Sequence, residues 1–114
     1  MNTILHITQR QQWQAAKNIG TYQGPTLDTE GFIHCSTLSQ LIGSANRFFE
    51  NQKDLVILVI NCDRVTPEVR YEGETINNLF PHIYGELNID AVVQAIDFGC
   101  EEDGLFRLPA EFID

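Results

Sequence analysis

Leu55-Val-Ile-Leu-Val-Ile60 is six consecutive apolar, β-favouring residues between Asp54 and Asn61. A strand with one wet face alternates apolar and polar residues. An unbroken apolar run shorter than a helix instead predicts a strand covered on both faces. The fold is therefore expected to place material on either side of this segment.

Upstream, Thr3–Ile7 reads as a short first strand. Thr8 suits a helix N-cap, with Gln11 completing a T-x-x-Q capping box and Gly20 as the stop after Ile19. Trp13, Ala16 and Ile19 form the expected inward side. Tyr22 to Glu30, with Gly24-Pro25 and Asp28, reads as a loop. Gly31–Cys35 follows as a second strand. Ser36 or Thr37 then caps a second helix, in which Thr37-Leu-Ser-Gln40 repeats the capping box. Leu38, Leu41, Ile42, Ala45, Phe48 and Phe49 make its apolar stripe, with Asn46 and Arg47 off centre. Downstream, Pro67 marks a turn and Val69–Tyr71 a short strand. Leu79–Tyr84 contains Pro81, which suits an edge strand or a bend. Ala91–Phe98 is the last strand, and Gly99–Gly104 turns into a short tail. Two early helices and five or six mostly late strands predict one α+β domain over residues 1–114.

Composition narrows the function classes. The apolar fraction of 43% is ordinary for a globular chain. No run approaches the roughly 20 apolar residues of a membrane helix. Met1 to Ile7 enters a strand-like pattern without a basic leader, so a cytoplasmic protein without membrane association is expected. Sixteen acids against seven bases give a net charge of −9. Such a field repels a polyanion, so long nucleic acid is not an expected partner. Glu101-Glu102-Asp103 reads as a solvated turn. The three cysteines, Cys35, Cys62 and Cys100, form no C-x-x-C pair and suggest no disulfide framework. Cys35 is expected to face away from His34 as a small core residue, with a Cys35 nucleophile as the sharper alternative.

Each of the three histidines precedes a hydroxyl residue by two positions: His6-Ile-Thr8, His34-Cys-Ser36 and His82-Ile-Tyr84. In a strand, i and i+2 share a face, so each segment can present an imidazole beside a hydroxyl. Three chemistries fit. Three imidazoles can hold zinc, although no i,i+4 pair or locked carboxylate supports it, and no metal is expected. Paired H-x-T/S motifs can act as base and acid across a phosphate, in a two-histidine phosphoesterase. A cleft of this kind can also bind a nucleotide, with an aromatic side chain stacked on its ring.

Glu30-Gly-Phe-Ile-His-Cys-Ser36, Asn46-Arg-Phe-Phe49 and Phe80-Pro-His-Ile-Tyr-Gly85 resemble the domain-of-unknown-function family 952, from Leu5 to about Phe98. That family is similar at fold level to the ADP-ribosyltransferase-like superfamily, whose members include NAD-consuming RNA 2′-phosphotransferases. The resemblance implies an ADP-ribosyltransferase-like α+β fold with mostly antiparallel strands, and NAD as a cofactor. It implies that His6 and Thr8 bond a ribose or phosphate, and that His34 lies against the bound ring or acts as acid and base. Ser36 would offer an anion site at a helix start. His82 and Tyr84 would close the far wall, Glu30 would orient a histidine, and Arg47 would reach a phosphate. The superfamily's late glutamate has its nearest counterpart in the segment of His82 and Tyr84, with Glu86 beyond Gly85. That departure points away from transfer of ADP-ribose to protein. The resulting expectation is a small-molecule protein whose histidine-lined cleft takes an NAD- or ADP-ribose-type ligand and transfers or hydrolyses it. A non-catalytic binding or regulatory domain is the alternative, followed by the phosphoesterase.

Overall fold

The run at 55–60 is the middle of the molecule. A computed structural model describes residues 2–113; Met1, the first residue of the strand-like opening, lies outside the described residues. The elements in order are β1 (Thr3–Gln9), α1 (Arg10–Ile19), β2 (Thr21–Tyr22), α2 (Leu27–Glu30) and β3 (Ile33–His34). They continue as α3 (Leu38–Phe48), β4 (Leu55–Asn61), β5 (Glu68–Glu72), β6 (Phe80–Tyr84), β7 (Leu87–Asn88) and β8 (Val92–Phe98). β4 is the central strand of an antiparallel sheet, β1-β4-β8. Two smaller antiparallel sheets, β3-β6-β5 and β2-β7, complete the strands.

Period-two alternation divides β4 between two cores. Val56, Leu58 and Ile60 join Ile4 of β1, Trp13 and Ala16 of α1, Tyr22, Ile33, Cys35, Ile83 and Leu87. Leu55, Ile57 and Val59 join Leu5 and Ile7 of β1, Leu41 and Ala45 of α3, and Ile96, Phe98 and Phe106. One face of the central sheet is thus covered by α1 and the smaller sheets, the other by α3 and the C-terminal segment. Each fully buried Leu or Ile contributes about 1.5–3 kcal/mol relative to exposure.

The molecule is a mixed α+β domain with three helices and antiparallel sheets. Several local expectations need correction. Among the described residues eight strands are present where five or six were expected, because β2 and β7 have two residues each and carry little period. The segment read as a loop, Tyr22–Glu30, contains the end of β2 and the single turn α2. Thr8 is not an N-cap. The β1–β4 ladder runs on through Thr8↔Val56 to Gln9↔Leu55, so Gln9 precedes the helix and makes no side-chain cap bond. Gly20 does end α1, at φ +105. Ile19 is 77% exposed, and Leu38 and Phe48 also lie outside the core.

β6 is not an edge strand: it lies between β3 and β5. Pro81 is tolerated there because β3 pairs only through Ile33 and His34. The Pro81 carbonyl accepts the Cys35 N–H at 3.0 Å. At Ser36 the chain has left β6 and pairs instead with Leu5, through two bonds of 2.8 Å. The N–H that proline lacks would have pointed where the partner strand departs.

Candidate functional site

Two polar groupings stand on opposite sides of β3. Ile33 and Cys35 point into the core beneath β1, and His34 points out with half its side chain exposed. On the inner side, His6 is 6% exposed, Thr8 3% and Ser36 5%. The His6 Nδ1–H donates to the His34 backbone carbonyl, which can only accept. His6 Nε2 therefore accepts, and the Tyr22 hydroxyl lies 2.7 Å from it. The Tyr22 oxygen is also 2.8 Å from Thr8 Oγ1, itself 2.8 Å from Gln12 Oε1. Burial pushes His6 down to about 4 and Tyr22 up to about 12. This imidazole is neutral at pH 7 and fully bonded, and it serves as the partner for a strand edge that has none.

On the outer side lies a cluster of rings. Phe32 stacks on His82 at 4.1 Å between centroids, and His34 stands edge-on to both, 4.7 Å from Phe32 and 5.1 Å from His82. Tyr84 is 5.2 Å from Phe32, and the Arg70 guanidinium lies 4.3 Å over the Tyr84 ring. Glu72 Oε1 accepts from His82 Nδ1 at 2.9 Å and from the Tyr84 hydroxyl at 2.5 Å. These donors, Tyr84 before His82, hold the Glu72 carboxyl below its ordinary range, and the same bond to Glu72 raises the Tyr84 phenol. Glu30 Oε2 is 3.1 Å from His34 Nε2. Glu72 and Arg70 were not singled out from the sequence, whereas alternation already puts Phe32 on the face of His34. Alternation within Glu68-Val-Arg-Tyr-Glu72 is the signal that puts three charged residues on one face of β5.

Residues 7–95 match a family model described as "Protein of unknown function (DUF952)". The chain belongs to the DUF952 family. It is similar to protein CC0527 from Caulobacter crescentus, whose crystal structure aligns at 30% identity and a TM-score of 0.85 over 94% of this chain and 95% of that one. A solution structure of the same protein aligns at 30% identity and a TM-score of 0.82, over 99% of this chain and 98% of that one. No curated protein matches the chain. The DUF952 description names no reaction, so chemistry must be argued from the site.

This DUF952 chain brings His34, His82, Tyr84 and Glu30 to one face and leaves the other expected site residues elsewhere. His6 and Thr8 sit in the interior. Their rings and hydroxyls do not face His34 across an open space, so the two H-x-T/S motifs are not paired across a phosphate. Ser36 donates its N–H to Leu5 rather than offering it to an anion, and the helix start passes to Thr37. Arg47 lies on α3, across the central sheet, with its guanidinium 5.2 Å over the neighbouring Phe48. Glu86 bonds Thr21 and Gln23, away from His82. Cys35 is 5% exposed and burial pushes its thiol far up, so it is an inert core residue. Among the described residues, no group of three or more His, Cys, Asp or Glu is placed to hold a metal ion. Nor is any helix there long and apolar enough to cross a membrane.

Proposed function

We propose that the outward face of β3-β6-β5 binds a small nucleotide-like ligand of the NAD or ADP-ribose type, and that His82 exchanges a proton with it. The observation carrying this reading is the carboxylate oxygen of Glu72 shared by His82 and Tyr84. An ionised carboxylate only accepts, so His82 holds a proton on Nδ1, and in the neutral ring the lone pair is on Nε2. A carboxylate fixing one ring nitrogen so that the other can act is the arrangement general-base chemistry uses. Glu30 fixes His34 in the same manner from a different element, consistent with an orienting role.

The rest of the face suits a planar ligand with a phosphate. Phe32, His34 and Tyr84 offer ring surfaces for stacking. Arg70 is paired with Glu68 at 2.9 Å in an exposed bridge of little intrinsic strength, which a phosphate can replace. Similarity to the ADP-ribosyltransferase-like superfamily belongs to this proposal and selects NAD and ADP-ribose as first ligands. His6, Thr8 and Ser36 support the face from behind. A binding module without turnover is the second reading. It is favoured by the solvent exposure of His34, half of whose side chain is open on this face.

Thermal shift against NAD, ADP-ribose and a cyclic nucleotide phosphate tests both readings. A ligand at 100 times its Kd stabilises by about 2.7 kcal/mol. The shift is expected to vanish in His34→Ala and His82→Ala. In Glu72→Gln, binding should persist while any turnover falls at least tenfold, as expected for loss of an oriented base. A shift that survives both histidine variants, or none with any ligand, would sink the assignment.

A further inference from the structure

Tyr22 is a buried side chain on a very short support. β2 has two residues and pairs only with the two residues of β7. Gly20 at φ +105 and Gly24 at φ +72 bracket it in conformations that favour glycine. The carboxylate of Glu86 then clamps it from outside. Oε1 accepts from the Thr21 hydroxyl at 3.0 Å and Oε2 from the Gln23 amide at 3.3 Å, so one exposed side chain holds both neighbours of Tyr22. Inward, the phenol oxygen meets His6 Nε2 and Thr8 Oγ1. Outward, Tyr22 lines a depression of about 300 Å³ together with Gln12, Ala16, Thr21, Gln23 and Gly24. Its lining carries no charged residue.

We propose that Gly20–Gly24 is a gate, with Tyr22 as its plug and Glu86 as its latch, separating this depression from the buried His6–Thr8 pair. Moving the phenol outward opens the depression onto an imidazole acceptor and a hydroxyl already spaced to hold an oxygen between them. The phenol is the built-in occupant of that position. The motion breaks two strand pairings, the Glu86 clamp and the phenol's own bonds, and it lifts the Tyr22 ring from the core it shares with Ile4, Trp13 and Leu87, so the shut gate is the resting state and opening is a local excursion. The ladder of β4 is unaffected by it, because β2 does not pair with the central sheet.

Two local readouts test the gate. Peptide mapping follows carbethoxylation of His6 Nε2 by diethyl pyrocarbonate, and amide exchange follows Thr21–Gln23. Glu86→Ala is expected to raise both rates about tenfold, the effect of removing two hydrogen bonds to a carboxylate, while amides of Ile57 and Leu58 exchange as before. Tyr22→Phe keeps the ring and loses its bonds, and is expected to speed His6 modification as well. The gate is overturned if His6 reacts only as fast as the β4 amides open, or if Glu86→Ala leaves His6 and Thr21–Gln23 unchanged. Neither result depends on what the outer face binds.

Discussion

Burial in an apolar core disfavours the charged imidazole, and His6 shows what that does to stability. Its native value is about 4 against 6.5 for an ordinary histidine. Between those values the unfolded chain binds a proton that the native chain refuses. Stability therefore rises with pH from about 4 to 6.5, is fully present above 6.5 and is lost on acidification through that window. That difference corresponds to about 3 kcal/mol. Glu68 and Glu72, lowered from 4.5 by their partners, act only at the acid end of the range. Urea unfolding from pH 7 to 4 should show this loss in the wild type and a flatter profile in His6→Gln; parallel profiles would mean that the imidazole titrates normally. Burial of this kind is hard to read from His6-Ile-Thr8. The alternation correctly puts His6 and Thr8 on one face of β1, but which face β3 covers is a tertiary matter. Glu72 was hidden for a related reason. Nothing in Leu79–Tyr84 says that Glu72 stands beside it; the β5–β6 register, with Glu72 opposite Phe80, brings it there.

At the scale of elements, helix ends and strand pairings fix where the outer face sits. Gln40 illustrates this. Its Oε1 accepts the Thr37 N–H at 2.9 Å, and its Nε2 donates to the Leu79 carbonyl at 2.7 Å. One side chain thus caps α3 and ties it to the residue before β6. Gln40→Ala leaves both backbone groups without these partners and is expected to cost about 1–3 kcal/mol, read as a lower urea midpoint at unchanged slope. A loss below about 0.5 kcal/mol would mean that water replaces both bonds. The capping box at Thr37–Gln40 was legible because it is a local pattern, as were β4, α1's glycine stop and most of α3. The tie to Leu79 was not, since it spans 39 positions. Pro81 misled for a definite reason: proline is a poor central-strand residue only where a partner needs its N–H. β3, two residues where five were expected, is so short that Pro81 escapes the requirement.

Across the whole molecule, both cores share one strand. Leu58 and Ile57 are adjacent, wholly buried and on opposite faces of β4. If each layer were an independent unit, removing one side chain would loosen one layer and leave the other. Sharing β4 rules that out, because the strand that aligns α3 and the C-terminal segment is also the strand that Tyr22, Ile33 and Ile83 pack against. Leu58→Ala and Ile57→Ala are each expected to cost about 2–5 kcal/mol, the range for a fully buried aliphatic truncated in a packed core. More telling is the form of the transition. Tryptophan fluorescence reports the core containing Trp13, and amide exchange at Leu41 and Ala45 reports the other. In both variants the two probes should shift together along one cooperative transition. Probes that separate, with the Trp13 side melting first in Leu58→Ala and the α3 side first in Ile57→Ala, would show two weakly coupled layers. The run Leu55–Ile60, apolar on both faces, is the sequence trace of that coupling.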